Sequence, residues 1–216
     1  YMRKKIEEDP ELKKKYKIIL IVLLVIIVGA LAFLGYKKFF GTPAVKEAKV
    51  LNTIKDYDYV LKDNKSKKYQ KLFKDLAKIL EEKEVDYEKY ASKLAEMFIV
   101  DFYSLDDKTA KTDVGGVDIV HPTALNNFLE NAENTYYKYV ESNIYNNRKQ
   151  SLPEVNTVTI DSVEQTHYTY GDTTDEEAYL VKVNWDYTDE EFSEYQKEAS
   201  LIFVHVDKKL YLVELK

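Results

Sequence analysis

The run Tyr179–Tyr187, YLVKVNWDY, places Tyr179, Val181, Val183, Trp185 and Tyr187 on one side of an extended chain, opposite Lys182, Asn184 and Asp186. Period two with one apolar and one polar face marks a half-buried antiparallel strand. Toward the C-terminus, Ala199–Val206 is apolar on both faces and reads as a more central strand. Asp207-Lys208-Lys209 turns it into a last strand, Leu210–Leu215. Toward the N-terminus the alternation runs through Val163–Tyr170 and through Val158 and Ile160 back to Pro153. The acidic stretch Gly171–Glu177 lacks the alternating oxygen ligands and distal Glu of an EF-hand loop, so it reads as a hairpin turn. Asp189-Glu190-Glu191 reads as a charged loop between strands.

Before Pro153 the period is 3.6. Thr123 is placed to cap a long helix carrying Leu125, Phe128, Leu129, Ala132, Tyr136, Tyr139, Val140 and Ile144, ending at Asn146-Asn147. Asp86 caps an earlier one, with Tyr87, Tyr90, Ala91, Leu94, Ala95, Phe98 and Phe102 in a broad apolar stripe. Between them lies a polar loop with Gly115-Gly116 and room for one short strand, Val117–Val120. A further helix starts at Ser66, and Ala44, Ala48, Leu51, Ile54, Tyr57 and Leu61 keep helical spacing ahead of it. The spacing therefore predicts an antiparallel helical hairpin within residues 37–85.

Farthest upstream, Ile18–Leu34 is seventeen residues without a charge. At about 1.5 Å per residue, this run with Gly35 and Tyr36 reaches nearly across a hydrocarbon core of roughly 30 Å. It is read as a transmembrane helix, residues 18–36, that contacts the lipid bilayer. It exceeds a signal-peptide core in length and continues past the Ala30-Leu31-Ala32 cleavage-like triplet. Residues 1–17 carry seven Lys or Arg against four acids, which places this basic tail in the cytoplasm and the rest outside the cell membrane. Gly41-Thr42-Pro43 is expected to break the helix and start a new element.

The chain's net charge of −6 leaves the outer part strongly acidic once the basic tail is set aside, which disfavours nucleic acid as a partner. Cysteine is absent, so disulfides, thiolate metal sites and a cysteine nucleophile are excluded. His121, His167 and His205 show no metal-ligand spacing, and no phosphate-binding glycine loop, G-x-S-x-G or H-E-x-x-H occurs. No cofactor and no metal are assigned.

The fold class is α+β: a transmembrane helix, a helical hairpin, then helices on a curved antiparallel sheet in an extracytoplasmic domain, 86–216. The order helix, helix, short strand, helix and long antiparallel strands resembles the nuclear-transport-factor-2-like family over roughly Asp86–Leu215. That resemblance implies a cone with a cavity at its wide end. Enzymes of that fold similar to ketosteroid isomerase use a carboxylate base and a tyrosine, for which Asp101, Tyr103, Tyr168 and Tyr187 are the candidate pocket residues. The layout of one span and such a domain also resembles bitopic assembly subunits of conjugation and type IV secretion machines. Tyr137 lies off the stripe of Tyr136 and Tyr139 and is the candidate exposed contact residue.

Together these features lead to an expected function: a membrane-anchored extracytoplasmic scaffold in an envelope assembly, with protein partners and the option of self-association. The alternative is a small-ligand or isomerase-like cone; catalysis is the less favoured reading.

Overall fold

The computed structural model describes residues 10–40 and 48–216. The expected break at Gly41-Thr42-Pro43 lies outside the described residues. The chain divides into two compact units, Tyr1–Ala44 and Val45–Lys216.

The described residues of the first unit form one helix, α1 (Pro10–Phe40), with proline at its first position. Its stretch Lys14–Ala32 is long and apolar enough to cross a membrane, and none of that stretch is buried against protein. From Ile18 to Leu34, aliphatics on every side leave that stretch without a polar face for water.

The second unit is α+β. Its first element is a β-hairpin, β1 (Val50–Ile54) and β2 (Tyr59–Lys62), where the sequence pattern predicted a helix. Apolar residues at 50, 51, 54, 57, 59 and 61 fit either period, and β-branched and aromatic residues prefer the pleated one. Asp58, in the left-handed region at φ 54°, closes the turn. The expected helical hairpin is therefore corrected to a β-hairpin followed by one helix, α2 (Lys67–Leu80).

Both following N-termini match their caps. Ser66 Oγ accepts from Tyr69 N at 3.2 Å, and Asp86 Oδ1 accepts from Lys89 N at 3.1 Å. Helix α3 (Tyr87–Tyr103) is the central element, with Tyr90, Ala91, Leu94, Ala95 and Phe98 fully buried. It packs against α2 and against the sheet.

The next helix, α4 (Leu125–Asn134), is far shorter than the apolar spacing predicts, and its N-cap is Ala124 rather than Thr123. Thr135 adopts φ −120° and ψ −95°, and its hydroxyl turns back to Asn131 O at 2.6 Å. That competition with the helical ladder ends the helix and swings the next residues inward. The predicted strand at 117–120 reduces to a single parallel bridge, Val120 to Leu212.

The sheet is an antiparallel meander in the order β3 (Val155–Tyr170), β4 (Thr173–Tyr187), β5 (Glu198–Val206) and β6 (Lys209–Leu215). The 179–187 alternation holds: Tyr179, Val181, Val183, Trp185 and Tyr187 are buried. The doubly apolar β5 is interior, paired with β4 through Leu201–Val181 and with β6 through Val204–Tyr211. Strand β3 is one continuous strand rather than two segments. Three register shifts, at Val155/Thr157, Ile160/Ser162 and Thr166/Tyr168, give it bulges of the kind that bend a sheet.

Candidate functional site

Four places bring polar or aromatic groups together. The first is Asp101, a predicted pocket residue on α3, only 3% exposed. Its carboxylate takes Lys65 Nζ at 2.5 Å, Lys108 Nζ at 3.2 Å and Gly116 N at 2.7 Å. Burial alone would raise its pKa. The two ammonium groups and the Gly116 N–H outweigh burial and hold it below the usual carboxylate range. Lys108 is 5% exposed and also contacts Asp107 at 2.7 Å. A carboxylate held by three donors is a tie for the 104–121 loop, and it is not free to abstract a proton.

Tyr137 belongs to the same tie, which corrects its expected exposure: it is fully buried. Its hydroxyl donates to Phe102 O at 2.7 Å and accepts from Gly115 N at 3.0 Å. The turn after Thr135 carries it inward, whereas Tyr139, assigned to the buried stripe, is 75% exposed. Beside it, Arg148 donates to the carbonyls of Asp106 (2.6 Å) and Lys108 (2.7 Å).

At the rim of this loop, burial and then the charges of Asp107 and Glu154 push Asp106 up to about 6. A carboxyl with a raised folded-state pKa stabilises the fold below its unfolded value, near 4, and that contribution disappears as pH rises through about 6. Asp106→Asn is therefore expected to raise the thermal midpoint near pH 7 and to leave it unchanged near pH 4. The gain should stay below about 1 kcal/mol, because Asp106 is only partly covered and water screens the part of it that stays exposed. Melting curves at the two pH values measure it.

The second place is a tyrosine cluster. Tyr103 and Tyr187 do meet there, joined by Tyr136: Tyr136 and Tyr187 hydroxyls lie 3.3 Å apart, and Tyr187 donates to Gln196 O at 2.9 Å. The Tyr103 and Trp185 ring centroids lie 4.4 Å apart, with the rings tilted by 36°. Burial raises all three phenol pKa values, so these hydroxyls stay protonated. Next to them opens a cleft of about 460 Å³ between α4, the end of α3 and β6, lined by Tyr103, Asn127, Phe128, Asn131, Tyr136 and Gln196 among others. Its lining is uncharged. Asp101 faces its two lysines instead, and Tyr168 sits on the β3–β4 hairpin beside Glu214, so the predicted carboxylate–tyrosine constellation is not assembled.

The third place is the Asp175–His205 pair. Asp175 Oδ2 accepts from His205 N at 2.6 Å and lies 3.0 Å from its Nδ1. This clips the start of β4 to β5. His121 binds Thr123 Oγ1 at 2.8 Å through Nδ1. Among the described residues, no three metal-ligating side chains cluster.

The fourth is the outer edge of β3. Trp185 N donates to Lys197 O and Thr188 N to Glu154 O, so odd residues of β4 bond toward β5 and even ones toward β3. The register pairs Thr157, Thr159, Ser162 and Glu164 with even residues. Val158, Ile160, Val163 and Gln165, paired with odd ones, must turn their N–H and C=O away from β4. Among the described residues, no backbone or side-chain group bonds those outward atoms. The opposite edge is different. On β6, Leu212 bonds Ile119 O and His121 N, and Leu210 is held by Tyr59 and Tyr90 hydroxyls.

Sequence reasoning found the strand but not its edge position, which depends on sheet order. Comparison with protein-family models, with curated proteins and with solved structures found no match for this chain.

Proposed function

We propose that this chain is a single-pass membrane protein whose extracytoplasmic α+β domain works by protein contact, as a scaffold or accessory subunit of an envelope assembly. The open β3 edge carries this reading, because unpaired strand edges are templates for a partner's backbone. The all-round apolar stretch within α1 supports the anchor, and the lysines ahead of that stretch support a cytoplasmic N-terminus. Crosslinking in intact membranes, followed by mass spectrometry, is expected to capture partner proteins on the 157–166 surface. Recovery of uncrosslinked chain alone, under several growth conditions, would reject the proposal.

A second reading rests on the cleft. In a nuclear-transport-factor-2-like cone, an uncharged cavity with amide and phenol groups suits a neutral amphipathic ligand. Thermal stabilisation by such a ligand, lost in Tyr136→Ala, would favour it.

A further inference from the structure

We infer that the β3 edge over Val158–Gln165 receives an extended segment of a partner protein in which aliphatic residues alternate with lysine or arginine. The inference rests on the protein-contact reading and specifies that partner's chemistry.

The backbone supplies the first requirement. The outward N–H and C=O groups of Val158, Ile160, Val163 and Gln165 recur along one strand edge and lack partners among the described residues. An added antiparallel strand would bond them as β4 bonds the other side. From Thr157 to Tyr170, β3 has no lysine and no proline, two residue types that commonly block an edge. Its bulge at Asp161 kinks the edge without covering it, so an incoming strand must follow that kink.

The side chains supply the second. Val158, Ile160 and Val163 lean on the core yet stay partly exposed, so a neighbouring strand with aliphatics on that face would cover them. The other face carries Asp161 and Glu164, both exposed. The β3–β4 ribbon as a whole holds seven carboxylates and one lysine. Basic residues on the outer face of the incoming strand meet this field. A second copy of the same edge would set Asp161 and Glu164 against their own kind, which cross-strand pairing penalises.

The test uses the full chain in nanodiscs of zwitterionic lipid, with the probe acetyl-Lys-Val-Lys-Val-Lys-Val-Lys-Val-amide and its Glu-Val counterpart as control. Hydrogen exchange of residues 157–166 is expected to slow with the Lys-Val peptide and not with the Glu-Val one. Gln165→Pro removes one outward donor while leaving the β4 ladder intact, and is expected to weaken peptide binding about tenfold at an unchanged melting temperature. Asp161→Lys with Glu164→Lys, both on the surface, should reverse the preference to the Glu-Val peptide.

Unslowed exchange at 157–166, or equal binding by Gln165→Pro, overturns the inference. So does protection that grows with the protein's own concentration in the absence of peptide, which would mean self-pairing. Membrane crosslinks confined to the exposed Tyr139 and Tyr145 would remove β3 as the site while leaving the protein-contact reading standing.

Discussion

Asp101→Asn is expected to lower stability by about 3–5 kcal/mol, since it removes one partner from a buried ion pair and leaves the other charged. Lys108 is the group at stake: it is 5% exposed, and without Asp101 only Asp107 remains within reach. For a domain of this size the melting temperature should fall by on the order of 10 °C. Lys65, less deeply buried, can turn toward water and contributes less to the loss. Adding Lys108→Met removes the stranded ammonium and is expected to recover part of the deficit, because an apolar replacement of a buried pair is often neutral.

The acid behaviour follows from the same carboxylate. Its folded pKa lies below the ordinary value, so its contribution is full above about pH 4 and disappears as pH falls through the lowered value. The gap between the parent and Asp101→Asn should therefore narrow only in strong acid. Chemical denaturation across pH, followed by near-ultraviolet circular dichroism, measures both effects. A gap of under about 1 kcal/mol near pH 7 would put the pair in the class of weak surface bridges.

Gly115→Ala should be comparably damaging, at about 3 kcal/mol, the upper end of the usual cost of overpacking. A Cβ at Gly115 would sit 1.9 Å from Asp101 O and 2.4 Å from Asp101 C, both backbone atoms that cannot rotate aside. The loop would have to back away from α3, pulling Gly115 N off the Tyr137 hydroxyl and Gly116 N off Asp101. Gly116 has no slack either, with φ +76° and a Phe98 ring carbon 2.6 Å from where its Cβ would stand. Gly171, also at positive φ but with open space around it, is the contrasting position. Alanine there carries only the left-handed backbone penalty, roughly 1 kcal/mol. Equal melting temperatures for the two variants would contradict the close approach at Gly115.

Much of the sheet is legible from residue pattern because one face is buried and, apart from Leu180, apolar and polar side chains alternate through 179–187. The caps at Ser66 and Asp86 are legible for a local reason: a short polar side chain and the backbone N–H that donates to it lie three residues apart. The errors have tertiary causes. Residues 50–62 satisfy both periods, and the choice is settled by Tyr59, which reaches out of β2 to Tyr90 at 2.7 Å and to Leu210 O at 3.0 Å. The helix ends at Asn134, so helical spacing does not give the direction of Tyr137. Asp101 and Tyr103 are two residues apart on α3, and that offset turns them to different neighbours: lysines for one, aromatics for the other. Nothing in local spacing shows that two lysines, from residues 65 and 108, converge on one carboxylate.

The β1–β2 hairpin is also the first structure the domain offers to the chain that leads from α1. Its open end is closed by Lys49 and Asp63, with Lys49 N donating to Asp63 Oδ1 at 2.8 Å and Asp63 N to Lys49 O at 2.9 Å. A pull applied to the chain ahead of Lys49 would enter at that rung and load the Val50–Lys62 ladder one pair at a time, the weak direction for a β-ribbon. Farther in, Tyr59 ties β2 to Tyr90 and Leu210, so the hairpin is joined to the α3 and β6 core beyond that first rung. The hairpin is thus the part of the domain that a pull along the chain from its N-terminal side would meet first, ahead of the sheet.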